Sequence, residues 1–225
     1  MNKPVIGLIG LGVMGESLAL NLIRHGHSVV GYDADPNRRE SFKQRAGDQA
    51  RVAASLSAVL SVLATPRILW LMVPAGQAVD AILASLRDRL APGDVVIDGG
   101  NSHFEDTQRR VKALQDQGIH YLGLGVSGGQ EGALKGPAMM PGGDPKAWAL
   151  VKDWLPEIAA HTPEGQACCQ WLGQGGSGHF VKMVHNGIEY ADMQLIAEVH
   201  SLLQHLLGMD AEHMAPVFAS WQSDW

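Results

Sequence analysis

The sequence lacks three features that would place it in a specialised class of protein. Among 225 residues it has only two cysteines, no excess of positive charge, and no long uninterrupted apolar run. Adjacent cysteines, here Cys168 and Cys169, rarely bridge each other because the ring is strained, so we predict reduced thiols in a cytoplasmic protein. The formal net charge of −6 does not fit a nucleic-acid-binding surface. No segment has the ~18 apolar residues that would cross a bilayer, so we expect neither nucleic acid nor membrane as a partner.

Apolar runs alternate with helical patterns through the first two thirds of the chain. The predicted strands are Val5–Ile9, Ser28–Tyr32, Ile68–Val73, Val95–Ile97 and His120–Leu124. The predicted helices are Val13–His25, Ala78–Leu90, Glu105–Gln117 and Lys146–Ala160. This alternation predicts an α/β fold with a Rossmann-type, doubly wound and mostly parallel sheet.

The character of the sequence changes after about residue 172. The segment GQGGSG, Gly173–Gly178, is predicted to be a hinge, and a long helix follows from His179 to Leu207 and ends at Gly208. Asp210 can cap a further helix over Ala211–Trp221. We therefore predict a nucleotide-binding domain over residues 1–175 and the first helices of an all-α domain over residues 176–225.

A glycine-rich turn follows the first predicted strand. The segment GLGVMG fits the pattern G-x-G-x-x-G and comprises Gly10, Leu11, Gly12, Val13, Met14 and Gly15. Between a strand and a helix, such glycines permit a tight turn, the approach of a pyrophosphate and close helix–strand packing. The phosphates would lie over the helix N-terminus, where backbone N–H groups point outward. A turn that only connects a strand to a helix is the alternative.

An acidic residue stands where the second strand ends. Asp33 lies 18 residues beyond Gly15, near the spacing of about 20 that is typical of a ribose-binding acid. A carboxylate there accepts hydrogen bonds from the ribose 2′-OH and repels a 2′-phosphate, which favours NAD over NADP. Arg38 and Arg39 could instead reach a 2′-phosphate, although solvated charges at the start of a helix are the simpler interpretation.

Three further loops follow predicted strands. They contribute Val73, Pro74 and Ala75, then Asn101 of DGGNS, and then Ser127, Gly128 and Gly129 of VSGG. In an open α/β sheet, the carboxyl ends of the strands face the ligand crevice. We therefore expect an amide from Asn101 and backbone N–H groups from the VSGG turn at this edge. No metal site is predicted.

The predicted helix HFVKMVHNGIEYADMQ, residues 179–194, carries an unusual polar stripe. At about 100° per residue, four polar side chains fall within an arc of about 100°: Lys182, His185, Asn186 and Glu189. An apolar set occupies the opposite side: Phe180, Val184, Ile188, Ala191 and Leu195. A surface helix with its apolar side packed inward explains this pattern. The wall of an active site also explains it, since a lysine base and a carboxylate acid about 10 Å apart along the axis suit two proton transfers.

Five segments together resemble the family of decarboxylating 6-phosphogluconate dehydrogenases: GLGVMG, DGGNS, GVSGGQEGA, MMPGG and GHFVKMVHNGIEYADMQ. The resemblance covers essentially the whole chain. It implies conversion of 6-phosphogluconate, a phosphorylated sugar acid, to ribulose 5-phosphate and CO₂, with Lys182 as general base and Glu189 as general acid. The implied substrate contacts are Asn101, Ser127, Gly128, Gly129, His185, Asn186 and Tyr190. The implied cofactor contacts are Gly10 to Gly15, Val73 to Ala75, and Asn101.

The chain departs from the family pattern in two ways. Members that use NADP typically carry Asn-Arg-Thr after the second strand, where this chain has Asp33, Ala34 and Asp35. This departure agrees with the argument from Asp33, and we predict NAD as the cofactor. Members also continue into a large helical domain with phosphate-binding lysines and arginines, and they form homodimers whose partner tail enters the site. We therefore expect this chain to be an N-terminal portion with impaired turnover when alone.

Two other functions remain open from the sequence. A non-catalytic NAD-binding module would keep the glycine turn without turnover. A related 3-hydroxyacid dehydrogenase would act on small unphosphorylated hydroxy acids.

Overall fold

A seven-stranded sheet organises the first part of the chain in the computed structural model, which describes residues 3–223. Its strands are β1 (Val5–Ile9), β2 (Ser28–Tyr32), β3 (Ala50–Val52), β4 (Ile68–Leu71), β5 (Val95–Asp98), β6 (His120–Ser127) and β7 (Ala138–Gly143). The order across the sheet is β3-β2-β1-β4-β5-β6-β7, and only β6 and β7 pair antiparallel. The predicted doubly wound, mostly parallel sheet is confirmed.

Helices follow most of the strands along the chain. Within the described residues they are α1 (Val13–Arg24), α2 (Pro36–Ala46), α3 (Leu56–Val62), α4 (Gln77–Leu86), α5 (Phe104–Gln115), α6 (Gly129–Lys135), α7 (Pro145–Val151), α8 (Ser177–Leu206) and α9 (Ala211–Ser223). The chain divides into two compact units, Met1–Met183 and Val184–Trp225, and α8 is continuous across the division. None of the helices between residues 3 and 223 has the length and apolar character needed to cross a membrane.

Apolar side chains fill both faces of the sheet. Successive strand residues alternate between the two faces. Trp70 and Ile97 therefore join one cluster with α1, α2 and α7, whereas Leu69 and Val96 join a second cluster with α3, α4 and α5. Burial on both faces explains why these strands are near-continuous apolar runs in the sequence.

The ligand crevice is expected where the winding of the sheet reverses. β1 pairs with β2 on one side and with β4 on the other, so that Ile9 is aligned with both Tyr32 and Leu71. The residues that follow these three strands therefore leave the sheet at one edge. In doubly wound sheets, this edge at the reversal point is where nucleotides bind.

Several predicted elements need correction. The helix predicted over Lys146–Ala160 is wrong, because α7 ends at Val151 and Leu155–Ile158 is a short 3₁₀ helix. Pro156 explains the break, since it has no N–H to donate in a helix interior. Short elements without a long apolar pattern were not predicted: β3, α3, α6 and β7. The interpretation of Arg38 and Arg39 as charges at the start of a helix agrees with α2, for which no bounds were predicted.

The hinge at Gly173–Gly178 stays a prediction, but two of its glycines have a packing reason for their size. A Cβ at Gly176 would overlap the backbone of Phe104, and a Cβ at Gly178 would overlap the carbonyl groups of Gly123 and Met140. These glycines therefore let the start of α8 lie directly on the sheet, and close packing is the reason for their small size.

Candidate active site

The glycine turn after β1 has the geometry of a phosphate-binding loop. Gly10 has a φ of 99°, which favours glycine, and a Cβ there would overlap the carbonyl of Met72. The N–H of Gly10 donates to the carbonyl of Tyr32 at 2.8 Å, and α1 then begins with Gly12 at its N-cap. The turn thus presents the start of α1 toward the crevice, where its unpaired N–H groups favour an anion.

Asp33 is held across this turn by backbone hydrogen bonds. Its Oδ2 accepts from the N–H of Leu11 at 2.7 Å, and its Oδ1 accepts from the N–H of Asp35 at 2.8 Å. The side chain is largely buried. A carboxylate has about four acceptor positions, so two remain for ribose hydroxyls.

The two arginines beside Asp33 have different environments. Nη1 of Arg39 donates to the carbonyl of Asp33 at 2.6 Å, and its guanidinium lies 5.9 Å from the centre of the Tyr32 ring. Arg38 is largely exposed, and its Nη1 lies 3.6 Å from Oδ2 of Asp33. Arg39 thus supports the loop, whereas Arg38 stands at the crevice and reduces the negative charge there.

A cavity of about 330 Å³ lies between the loops that follow β1, β2 and β4. Its size is within the range of small-molecule sites. Six of its lining residues are Gly10, Tyr32, Asp33, Ala34, Val73 and Pro74. Ala75 lies farther along the same loop and is exposed. The predicted cofactor residues around Asp33 and Val73 therefore meet at one cavity.

The loops after β5 and β6 carry the other predicted residues of the first unit. Asn101 is exposed between Gly100, whose N–H donates to Oδ1 of Asp98 at 3.2 Å, and the buried Ser102. Ser127 ends β6, and Gly128 and Gly129, both with positive φ, lead into α6. Since β4, β5 and β6 are neighbours in the sheet, these loops leave adjacent strands at the same edge.

A buried ionic network beneath these loops was not predicted. Oδ2 of Asp98 accepts from the hydroxyls of Ser102 and Tyr121, each at 2.7 Å, and Nη1 of Arg110 lies 3.5 Å away. Burial, together with the charge of Asp98, raises the pKa of Tyr121 well above its ordinary value. An aspartate at the end of the apolar strand VVID was the one signal in the sequence, because a charge at a buried strand end needs a partner.

The start of α8 brings Lys182 against the sheet. Lys182 is 8% exposed, and a Cβ on Gly125 of β6 would lie only 2.6 Å from the Cβ of Lys182. One turn earlier, Nδ1 of the buried His179 lies 2.6 Å from Oγ1 of Thr107. Burial lowers the pKa of His179. The lysine is therefore placed by backbone-close packing near the carboxyl end of β6.

The remaining predicted residues of α8 belong to the second compact unit. Nδ1 of His185 lies 3.2 Å from Oδ1 of Asn186 and 3.8 Å from Oε2 of Glu189, and Tyr190 is exposed. Ile188 and Leu195, which a simple surface helix would pack inward, are 60% and 61% exposed. The inward-packed arrangement of this apolar side is therefore wrong for the described chain.

Comparison with known proteins gives a consistent result. A family model described as the NAD binding domain of 6-phosphogluconate dehydrogenase matches residues 5–173, and one described as the C-terminal domain of that enzyme matches residues 178–224. A decarboxylating 6-phosphogluconate dehydrogenase of Treponema pallidum is 50% identical over 97% of this chain and 45% of its own length. The NADP(+)-dependent enzyme of Bacillus subtilis is 49% identical over 98% of this chain and 47% of its own length.

A solved structure agrees with these matches. The 6-phosphogluconate dehydrogenase of Plasmodium falciparum, described in apo form and in complexes with NADP+ and with 6-phosphogluconate, superimposes with a TM-score of 0.91 at 38% identity. The match covers 97% of this chain and 47% of that structure. The chain thus spans about half the length of these relatives.

Proposed function

The chain belongs to the 6-phosphogluconate dehydrogenase family, and we propose that it supplies the cofactor-binding part and the catalytic base of an enzyme that oxidatively decarboxylates 6-phosphogluconate. The observation that carries this proposal is the burial of Lys182 against Gly125, near the carboxyl end of β6. A lysine in that environment is close to the edge where an α/β sheet binds its ligands. We further propose residues 1–175 as the nucleotide-binding domain and residues 176–225 as the start of the helical domain.

The first unit fits a nicotinamide dinucleotide. The tight turn at Gly10, the small residue at Gly12 and the cavity beside Asp33 match the needs of a pyrophosphate and an adenosine. We assign cofactor contacts to Gly10–Gly15, Asp33–Asp35, Val73–Ala75 and Asn101. When bound, the cofactor supplies the hydride acceptor.

The proposed chemistry uses two groups of α8. Nζ of Lys182 accepts the proton of the C3 hydroxyl as the hydride leaves C3, which yields a 3-keto acid. The C1–C2 bond then breaks and releases CO₂, because the ketone accepts the electron pair. The former C2 of the sugar acid is C1 of the resulting enediol. The carboxyl group of Glu189 donates a proton to this carbon and so forms ribulose 5-phosphate. A general base and a general acid on one helix suit these two transfers.

The other proposed contacts bind the sugar acid. The hydroxyls and the carboxylate of the sugar acid can form hydrogen bonds with five polar side chains. These are the amides of Asn101 and Asn186, the hydroxyls of Ser127 and Tyr190, and the imidazole of His185. Backbone N–H groups of Gly128 and Gly129 can hold an anionic group. We also propose a cytoplasmic location and a homodimer for the full-length protein.

NAD is the proposed cofactor, in contrast to the NADP that the Bacillus subtilis and Plasmodium falciparum descriptions name. The support is Asp33, whose fixed carboxylate would bond a ribose 2′-OH and repel a 2′-phosphate. Fluorescence titration should give tighter binding of NADH than of NADPH, and Asp33→Asn should reduce that difference. Equal or tighter NADPH binding that falls on Arg38→Ala would refute the assignment and identify Arg38 as a phosphate ligand.

The reaction is tested by absorbance of NADH formed from 6-phosphogluconate. We expect Lys182→Ala to abolish turnover, whereas Lys135→Ala, a change at an exposed lysine, should leave it unchanged. Turnover that survives Lys182→Ala would contradict the proposed base. NADH binding without turnover in the unaltered chain would instead favour a cofactor-binding module.

A further inference from the structure

Two loops at the crevice touch each other where they leave the sheet. The first is Val73–Gly76, after β4, and the second is Asp98–Ser102, which begins at the last residue of β5. The N–H of Gly99 donates to the carbonyl of Leu71 at 2.9 Å. A Cβ on Gly100 would lie only 2.8 Å from the carbonyl oxygen of Val73. The backbones of the two loops are therefore in contact at this end.

Arg110 of α5 joins the same two loops at their other end. Its Nη2 donates to the carbonyl of Gly76 at 3.1 Å, and its Nη1 donates to Oγ of Ser102 at 3.2 Å. Arg110 is 2% exposed, so water does not compete freely for these donors. One guanidinium thus spans the last residue of the first loop and the last residue of the second.

The guanidinium is itself anchored from two sides. Its Nε donates to Oδ1 of Asp80 on α4 at 2.9 Å, and Asp98, which lies 3.5 Å from Nη1, is held by the hydroxyl of Tyr121 at 2.7 Å. These bonds fix the plane of the guanidinium relative to α4 and β6. A fixed plane sets the directions of all its donors at once, which a lysine ammonium cannot do.

We propose that Arg110 is a positioning residue that holds Val73–Gly76 and Asp98–Ser102 in a single arrangement, so that the cofactor loop and Asn101 are set together. The functions of the two loops rest on the proposed function, whereas the link between them does not. Loss of the link should let each loop relax separately. The position of Asn101 relative to the proposed cofactor contacts of Val73–Gly76 would then no longer be fixed.

Two backbone amides report on the two loops. The N–H of Asp80 donates to the carbonyl of Gly76 at 3.3 Å, and the N–H of Gly100 donates to Oδ1 of Asp98 at 3.2 Å. Their exchange with solvent deuterium can be followed by NMR in the whole 225-residue chain. In Arg110→Lys we expect both amides to exchange at least about tenfold faster, the equivalent of one lost charge-assisted hydrogen bond.

Arg109→Lys is the matched control. Arg109 also bonds Asp80, at 3.1 Å, but it is exposed and donates to neither loop. It should leave both exchange rates unchanged. If Arg110→Lys retains the exchange rates of the unaltered chain, or changes only one of the two amides, the proposal is overturned.

If Arg110→Lys does not fold, Ser102→Ala provides a second test of the link between the loops. It removes one partner of the guanidinium and should accelerate exchange at Gly100 while β1 amides keep their protection; unchanged exchange at Gly100 would overturn the proposal.

NADH titration of the same variants separates this proposal from the proposed function. We expect about tenfold weaker binding in Arg110→Lys and unchanged binding in Arg109→Lys. If the unaltered chain does not bind NADH, the proposed function fails, and the exchange rates still decide the role of Arg110.

Discussion

Gly125→Ala tests whether Lys182 is placed by backbone packing. The added methyl group would lie 2.6 Å from the Cβ of Lys182, 3.1 Å from the Cβ of Met140 and 3.2 Å from the carbonyl oxygen of Gly178. None of these atoms is the end of a flexible side chain, so α8 must move away from β6. Such overpacking costs about 1–3 kcal/mol. Alanine recovers about 0.4–1 kcal/mol by restricting the unfolded chain.

The net loss is therefore up to roughly 2.6 kcal/mol, or a fall in Tm of up to about 10 °C for a chain of this size. Urea and thermal unfolding followed by tryptophan fluorescence measure it. Gly132→Ala in α6 is the control, because its Cβ would meet only the carbonyl of Ser127, at 3.8 Å. It should stabilise the chain by about 0.5–1 kcal/mol. If Gly125→Ala is as stable as Gly132→Ala, the packing argument for Lys182 is refuted.

Three further predictions concern buried or paired groups. Hydrogen bonding from Arg110 lowers the pKa of Asp80, so its stabilisation is present above about pH 4 and is lost as pH falls through the lower value. Urea unfolding should show a constant gap between the unaltered chain and Asp80→Asn above about pH 5, and the gap should close as the pH falls below about 4. Burial raises the pKa of the Cys169 thiol to about 12, so iodoacetamide should label Cys168 in the folded chain and leave Cys169 unlabelled. Mass spectrometry measures the labelling, and equal labelling of the two thiols would contradict this prediction. Burial also lowers the pKa of His179, so stability should fall as pH drops below about 6.5, with a shallower fall in His179→Gln; identical slopes would show that this imidazole does not contribute.

Features with a strong local signal were predictable from the sequence. The bounds of β1 and β2 agree with the predicted strands, since short apolar runs between turn residues are typical of buried parallel strands. β7 was missed because Pro141 and two glycines give it little strand propensity. Its pairing with β6, for example Leu122 opposite Gly143, depends on tertiary contact that no local pattern encodes.

The candidate site was predictable only where its residues stand in motifs. Asp33 and the glycine turn carry such a signal, although the bond from Leu11 to Asp33 does not appear in any spacing rule. Arg110 could not be found, because its partners are separated along the chain and looked like ordinary polar residues of loops and helices. The proposed roles of the residues on α8 stay predictions.

The amphipathic pattern of α8 left two arrangements open, because it ranks side chains by polarity and ignores the surface against which the helix packs. The partner surface is the backbone of β6 and β7, where Gly123 and Gly125 leave no side chains in the way. Gly178 lets the start of α8 approach this surface closely, and His179 and Lys182 are buried beside it. Burial of the lysine therefore follows from the glycines of the sheet. Gly123 and Gly125 thus have a packing reason for their size apart from any ligand, and a larger residue at Gly125 would displace Lys182 without contacting a substrate.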